Sequence, residues 1–114
     1  VAYHDYEGVA LDLDERERLI KDIGDKKILI LRNHGTLAAG ESVSSCFMLM
    51  YLLERSCTMQ VRAMSSSKLR LPSQQAIATS SNQGNRLIES EGLHKLAWPA
   101  LLRMLDRTDV GYRE

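Results

Sequence analysis

The stretch Ile28-Leu29-Ile30-Leu31-Arg32-Asn33-His34-Gly35-Thr36-Leu37-Ala38-Ala39-Gly40 constrains this chain more than any other. Four consecutive aliphatic residues, with β-branched Ile28 and Ile30 among them, read as a buried strand. The run stops at Asn33-His34-Gly35, which mounts an imidazole at the mouth of a sheet. There a rigid strand end meets a turn with room for a ligand. Gly35 puts no Cβ beside that ring, so backbone or ligand can come close. Leu37 to Gly40 is expected to return as a short second strand, and the long apolar helix that follows must pack on the sheet.

Around this stretch the other elements fall in order. Val1 to Tyr6, with aromatic Tyr3 and Tyr6, alternates enough for an edge or inner strand, ended by Glu7-Gly8. Asp12 or Asp14 is expected to cap a helix with Glu15 and Glu17 in its first turn, where the dipole favours acids. Leu19, Ile20 and Ile23 supply its buried stripe, Gly24 its end, and the charges from Asp14 to Arg18 a solvated face. Ser42 caps a helix from about Val43 to Met64. Its apolar row Val43, Phe47, Met50 and Leu53 is widened almost all round by Cys46, Met48, Leu49 and Leu52. Such a helix calls for sheet on one side and another subunit or helix on the other. Its methionines read as core filling rather than a partner groove. Adjacent Glu54 and Arg55 do not face each other on a helix, so each needs its own partner.

From Ser65 to Asn85 serines, Gln74-Gln75, Pro72 and Gly84 dilute the apolar content, which predicts loop with a short helix around Ser73 to Thr79. A final helix is expected from about Gly84 to Leu105, with Leu87, Ile88, Leu93, Leu96, Trp98, Leu101 and Leu102 as its apolar members. Gly92 and Pro99 should kink or break it, and His94 reads as an exposed helix histidine. Asp109 to Glu114 reads as a loose terminus.

Composition removes some functions. The 114 residues are 44% hydrophobic and 26% charged with zero formal net charge, which suits a globular chain and argues against a broad nucleic-acid surface. Cys46 and Cys57 lie in one helix, about 16 Å apart along its axis, too far for a disulfide with each other. They lack CxxC spacing, so a structural zinc knuckle is not expected. Reduced cysteines point to the cytoplasm. No basic segment followed by an apolar core opens the chain, and no apolar run approaches the roughly 20 residues that span a bilayer.

A lone histidine at a strand end is most often a hydrogen-bonded structural residue. The ordered set Ala2-Tyr3-His4-Asp5-Tyr6-Glu7-Gly8, Leu31-Arg32-Asn33-His34-Gly35, Gly40 and Leu53-Glu54-Arg55 is a richer pattern. It resembles the class II aldolase/adducin family, and Trp98-Pro99-Ala100-Leu101-Leu102 looks like its adducin-like bacterial branch. The resemblance implies an α/β fold, an αβα layered sandwich with a mostly antiparallel central sheet, of which this chain would be a partial domain. Residues 1–64 would be the C-terminal half of that domain, and residues 65–114 a linker and C-terminal helix packing on it.

It also implies that His34 is the third ligand of a zinc ion, or another divalent metal, after an upstream His-x-His pair. The metal in such enzymes stabilises the enediolate formed when a carbon–carbon bond of a small hydroxy-carbonyl substrate, such as a phosphorylated sugar, breaks. An upstream acid moves the proton. Neither that acid nor the histidine pair is in this sequence, and Asp5, Glu7 and Glu54 do not replace them. His4 falls on no ligand position and is expected at the surface or supporting a ligand from behind. The helix that is apolar nearly all round predicts self-association, for which the resemblance implies tetramers, while charge and the lack of a long apolar run argue against a nucleic-acid or membrane partner. The alternative is an adducin-like, non-catalytic binding or assembly module with a cytoskeletal partner.

Overall fold

Strand β1 (Ala2–His4) pairs in parallel with β2 (Ile28–Leu31), and β2 pairs antiparallel with β3 (Gly35–Ala38), so the aliphatic run sits at the centre. A computed structural model describes residues 1–8, 13–65, 68–89 and 92–113. Asp12, expected as a cap, Glu114 in the terminus, and the side chains of Ile88 and Leu93 lie outside the described residues. The chain divides into two compact units, Val1–Ser56 and Cys57–Glu114.

In the first unit a parallel pair needs a crossover, and helix α1 (Glu15–Ile23) supplies it. Gly24 ends α1 at φ +52°, with its N–H donating to the Ile20 carbonyl at 3.1 Å. Asp14 holds the cap position, but its backbone is already helical (φ −70°, ψ −25°) and its side chain makes no capping bond. The register puts His4 beside Leu31 and Ala2 beside Leu29, so these side chains share one face, and α1 packs on it. Leu29 on that face is fully buried.

Thr36, paired with Ile30, points to the opposite face. There its hydroxyl donates to Glu54 Oε1 at 3.2 Å and lies 3.4 Å from Met50 Sδ, both on helix α2 (Val43–Met64). The sheet is therefore layered between α1 and α2, the αβα arrangement expected. Ser42 caps α2 as expected, accepting the Ser45 N–H at 3.2 Å. Gly40 lies against this cap: a Cβ there would come within 2.8 Å of Ser45 Oγ and 3.2 Å of Cys46 N. Leu49 and Leu53, one turn apart on α2, complete the buried apolar set among the described residues.

Some expected core is open instead. Ile20, Val43, Phe47 and Leu52 are exposed, since Leu19 and Ile23 on α1, and Leu49 and Leu53 on α2, take the inward positions. Among the described residues no helix is long and apolar enough to cross a membrane.

The second unit holds the last turns of α2, then α3 (Gln74–Glu89), α4 (Gly92–Thr108) and a closing 3-10 turn, Val110–Arg113. The short helix expected around residues 73–79 is a 16-residue one. Ser73 caps it by accepting the Ala76 N–H at 3.2 Å, and packing against α4 overrides the weak propensity of its serines and asparagines. The final helix begins at Gly92 rather than near Gly84, which lies inside α3, and it continues through Pro99. His94 is half-buried rather than exposed. The terminus is tied down: the Tyr112 hydroxyl donates to Asp106 Oδ1 at 2.8 Å, and Arg113 pairs with the same carboxylate at 2.6 Å.

Candidate functional site

The strand-to-strand turn after β2 is built by its sequence. The His34 N–H donates to the Leu31 carbonyl at 3.1 Å, which closes a four-residue turn. Its third residue, Asn33, has φ +56°, a left-handed conformation that asparagine tolerates better than most residues. His34 is exposed, and its ring stacks on Tyr6, with centroids 6.3 Å apart and planes 29° from parallel. Among the described residues no group of three or more His, Cys, Asp or Glu is arranged to hold a metal ion.

His4 behaves in the opposite way. It is 3% exposed, not at the surface. Its Nδ1 donates to Asp22 Oδ2 at 2.7 Å, while Nε2 lies 3.5 Å from Glu15 Oε1 and 4.0 Å from Glu7 Oε1, without a hydrogen-bond partner among the described residues. The hydrogen bond to Asp22 holds the imidazole above its ordinary value of 6.5 against the opposing effect of burial, and the charges of Asp22, Glu7 and Glu15 add to it. Glu15 is itself buried. Arg18 donates through Nε and Nη2 to both oxygens of Glu7, and these bonds hold that carboxyl below its ordinary range. Asp5 pairs with Arg32 at 3.0 Å, and the Arg32 guanidinium lies 4.9 Å above the Tyr3 ring.

A cleft of about 350 Å³ opens beside this cluster, lined by Tyr3, His4, Asp5, Glu7, Arg18, Lys21, Asp22 and Arg32. A much smaller cavity, of about 10 Å³, is lined by residues that include both His4 and His34. The two histidines thus share one end of the sheet. The sequence singled out His34 and passed over the network around His4. A signal was present: Glu15, Arg18 and Asp22 recur at three- and four-residue spacing beside Leu19 and Ile23, which places charge on the inward side of α1.

A profile of the class II aldolase and adducin N-terminal domain matches residues 1–61. A provisionally named aldolase class 2 protein of Caulobacter vibrioides is 44% identical over 119 residues, covering 100% of this chain and 44% of its own length. This chain belongs to the class II aldolase and adducin family. Alpha-adducin of Rattus norvegicus is 37% identical over 125 residues, spanning 99% of the chain and 17% of that protein. A crystal structure of an aldolase II superfamily protein from Pseudomonas syringae aligns with a TM-score of 0.89 at 43% identity, covering 99% of this chain and 45% of that one. The chain therefore spans under half the length of these two bacterial relatives.

Proposed function

We propose that this chain is the His34-bearing half of a metal-dependent class II aldolase-like lyase, residues 1–64 forming the domain half and residues 65–114 the linker and helical tail. The exposed His34 imidazole, set on the strand-to-strand turn and stacked on Tyr6, carries the reading. An accessible imidazole suits zinc or a similar divalent cation. The described residues supply that one donor and no cluster of three, so the other ligands would come from the part of the family domain this chain does not span. A cation bound there supplies Lewis-acid stabilisation of charge on the oxygens of a small hydroxy-carbonyl substrate while its carbon–carbon bond is cleaved. The chain's own residues hold the imidazole: Asn33 fixes the turn, and Tyr6 fixes the ring plane.

Self-association belongs to the same reading, and the exposed Val43, Phe47 and Tyr51 at four-residue spacing on α2 support it. The adducin relatives favour a second reading, in which the fold serves as an assembly module for a cytoskeletal partner without catalysis.

Metal analysis of the full-length protein separates the two. The lyase reading expects about one divalent ion per chain, lost in His34→Ala and kept in His94→Ala. Full occupancy in His34→Ala, or a wild type that never holds metal, transfers the weight to the module.

A further inference from the structure

After His4 the chain leaves the sheet. The last β1–β2 pairing is His4 with Leu31, and the Arg32 N–H donates to the His4 carbonyl at 2.9 Å. The next residues lie outside β1, so side-chain ties set their position: Asp5 to Arg32, Glu7 to Arg18, and His4 itself to Asp22. Tyr6, the residue that stacks on His34, sits in the middle of these ties.

We propose that His4 is a proton-dependent latch, whose imidazolium binds the end of β1 to α1 and thereby sets where Tyr6 holds the His34 ring. The inference rests on the reading of His34 as the functional imidazole.

The geometry favours a proton at both ring nitrogens. Nδ1 donates to Asp22, so in a neutral ring Nε2 would carry a bare lone pair. That atom is buried, has no hydrogen-bond partner among the described residues, and faces Glu15 at 3.5 Å and Glu7 at 4.0 Å. A lone pair against two carboxylates is repelled, whereas an N–H is attracted to both. The neighbouring cations do not replace that proton: Arg18 is engaged by Glu7 and Arg32 by Asp5, while Lys21 lines the outer cleft. Glu7 is already held by Arg18, and the described residues contain no metal-holding group of three. The cluster thus offers Nε2 a place for a proton. When the proton leaves Nε2 for solvent, the Asp22 bond survives through Nδ1–H, the pull on Glu7 and Glu15 reverses, and the Tyr6 segment loosens.

Nitrogen-15 long-range correlation spectra of metal-free wild type, taken across the neutral range, report the proton at each ring nitrogen. The expected result is a doubly protonated His4 at neutral pH, with Tyr6 ring signals moving at the His4 midpoint and the Tyr6–His34 cross-peak lost above it. Asp22→Asn should lower that midpoint and bring Tyr6 to its high-pH signals at neutral pH. If this variant does not fold, the wild-type titration decides alone. A His4 with bare Nε2 throughout, or Tyr6 signals indifferent to His4, overturns the latch. Because the readout needs no metal, failure of His34 to bind an ion leaves this result independent.

Discussion

His4 and His34 stand at the same end of neighbouring strands, yet one is buried among carboxylates and the other is open and stacked on a tyrosine. His4 is the last paired residue on the face that α1 covers, so its ring is enclosed by whatever α1 presents, and α1 presents Glu15 and Asp22. His34 lies past its strand, in a turn closed by its own N–H, so the backbone places it and its side chain stays accessible. The difference teaches that a strand-end histidine takes its chemistry from the element above it. Enclosure with acids favours the charged ring at His4, and exposure on a fixed turn leaves the His34 ring open for the ligand role proposed above.

Breaking each histidine in turn should expose that division. The largest effect is expected for His4→Ala, which removes a buried hydrogen-bonded ring and leaves Glu15 facing a gap. Urea denaturation should show a loss of about 2 kcal/mol, held to that size because Asp22 is 39% exposed and can be rehydrated. A smaller effect follows from pH. The folded-state value of His4 lies above its ordinary 6.5, so its contribution is full below that pH and fades as pH rises through the folded value. Denaturation midpoints should fall on that alkaline side in the wild type and flatten in His4→Gln.

Two predictions sharpen the His34 side. Asn33→Ala should cost about 1 kcal/mol, because alanine resists the left-handed backbone that this turn requires. His34→Ala should change stability least, within about 0.5 kcal/mol, as expected of an exposed side chain outside the core. A large loss on this last change would make His34 a structural residue and erase the contrast.

The sequence announced those features that depend on local chemistry. Ser42 and Gly24 mark helix ends through groups a few residues away, and Asn33-His34-Gly35 marks a turn because few residues accept its backbone. The end of the aliphatic run placed His34 at the mouth of the sheet, and the family resemblance implied the αβα layering. What stayed hidden was decided by distant partners. Nothing near His4 in the chain reveals Asp22, eighteen residues on, and only the β1–β2 register with α1 above it brings them together. In the same way the α3 region reads as loop with only a short helix around Ser73 to Thr79 until α4 is packed against it, and the terminus reads as loose until Tyr112 and Arg113 reach Asp106.

The division of labour between the histidines is tested most directly by a crystal structure of the full-length protein grown with zinc, with anomalous scattering collected at the zinc edge. The account predicts an anomalous peak about 2.0–2.1 Å from a ring nitrogen of His34, with Tyr6 still stacked on that ring and no peak at His4. A zinc ion bound to His4, or no ion near His34 at saturating metal, would contradict it.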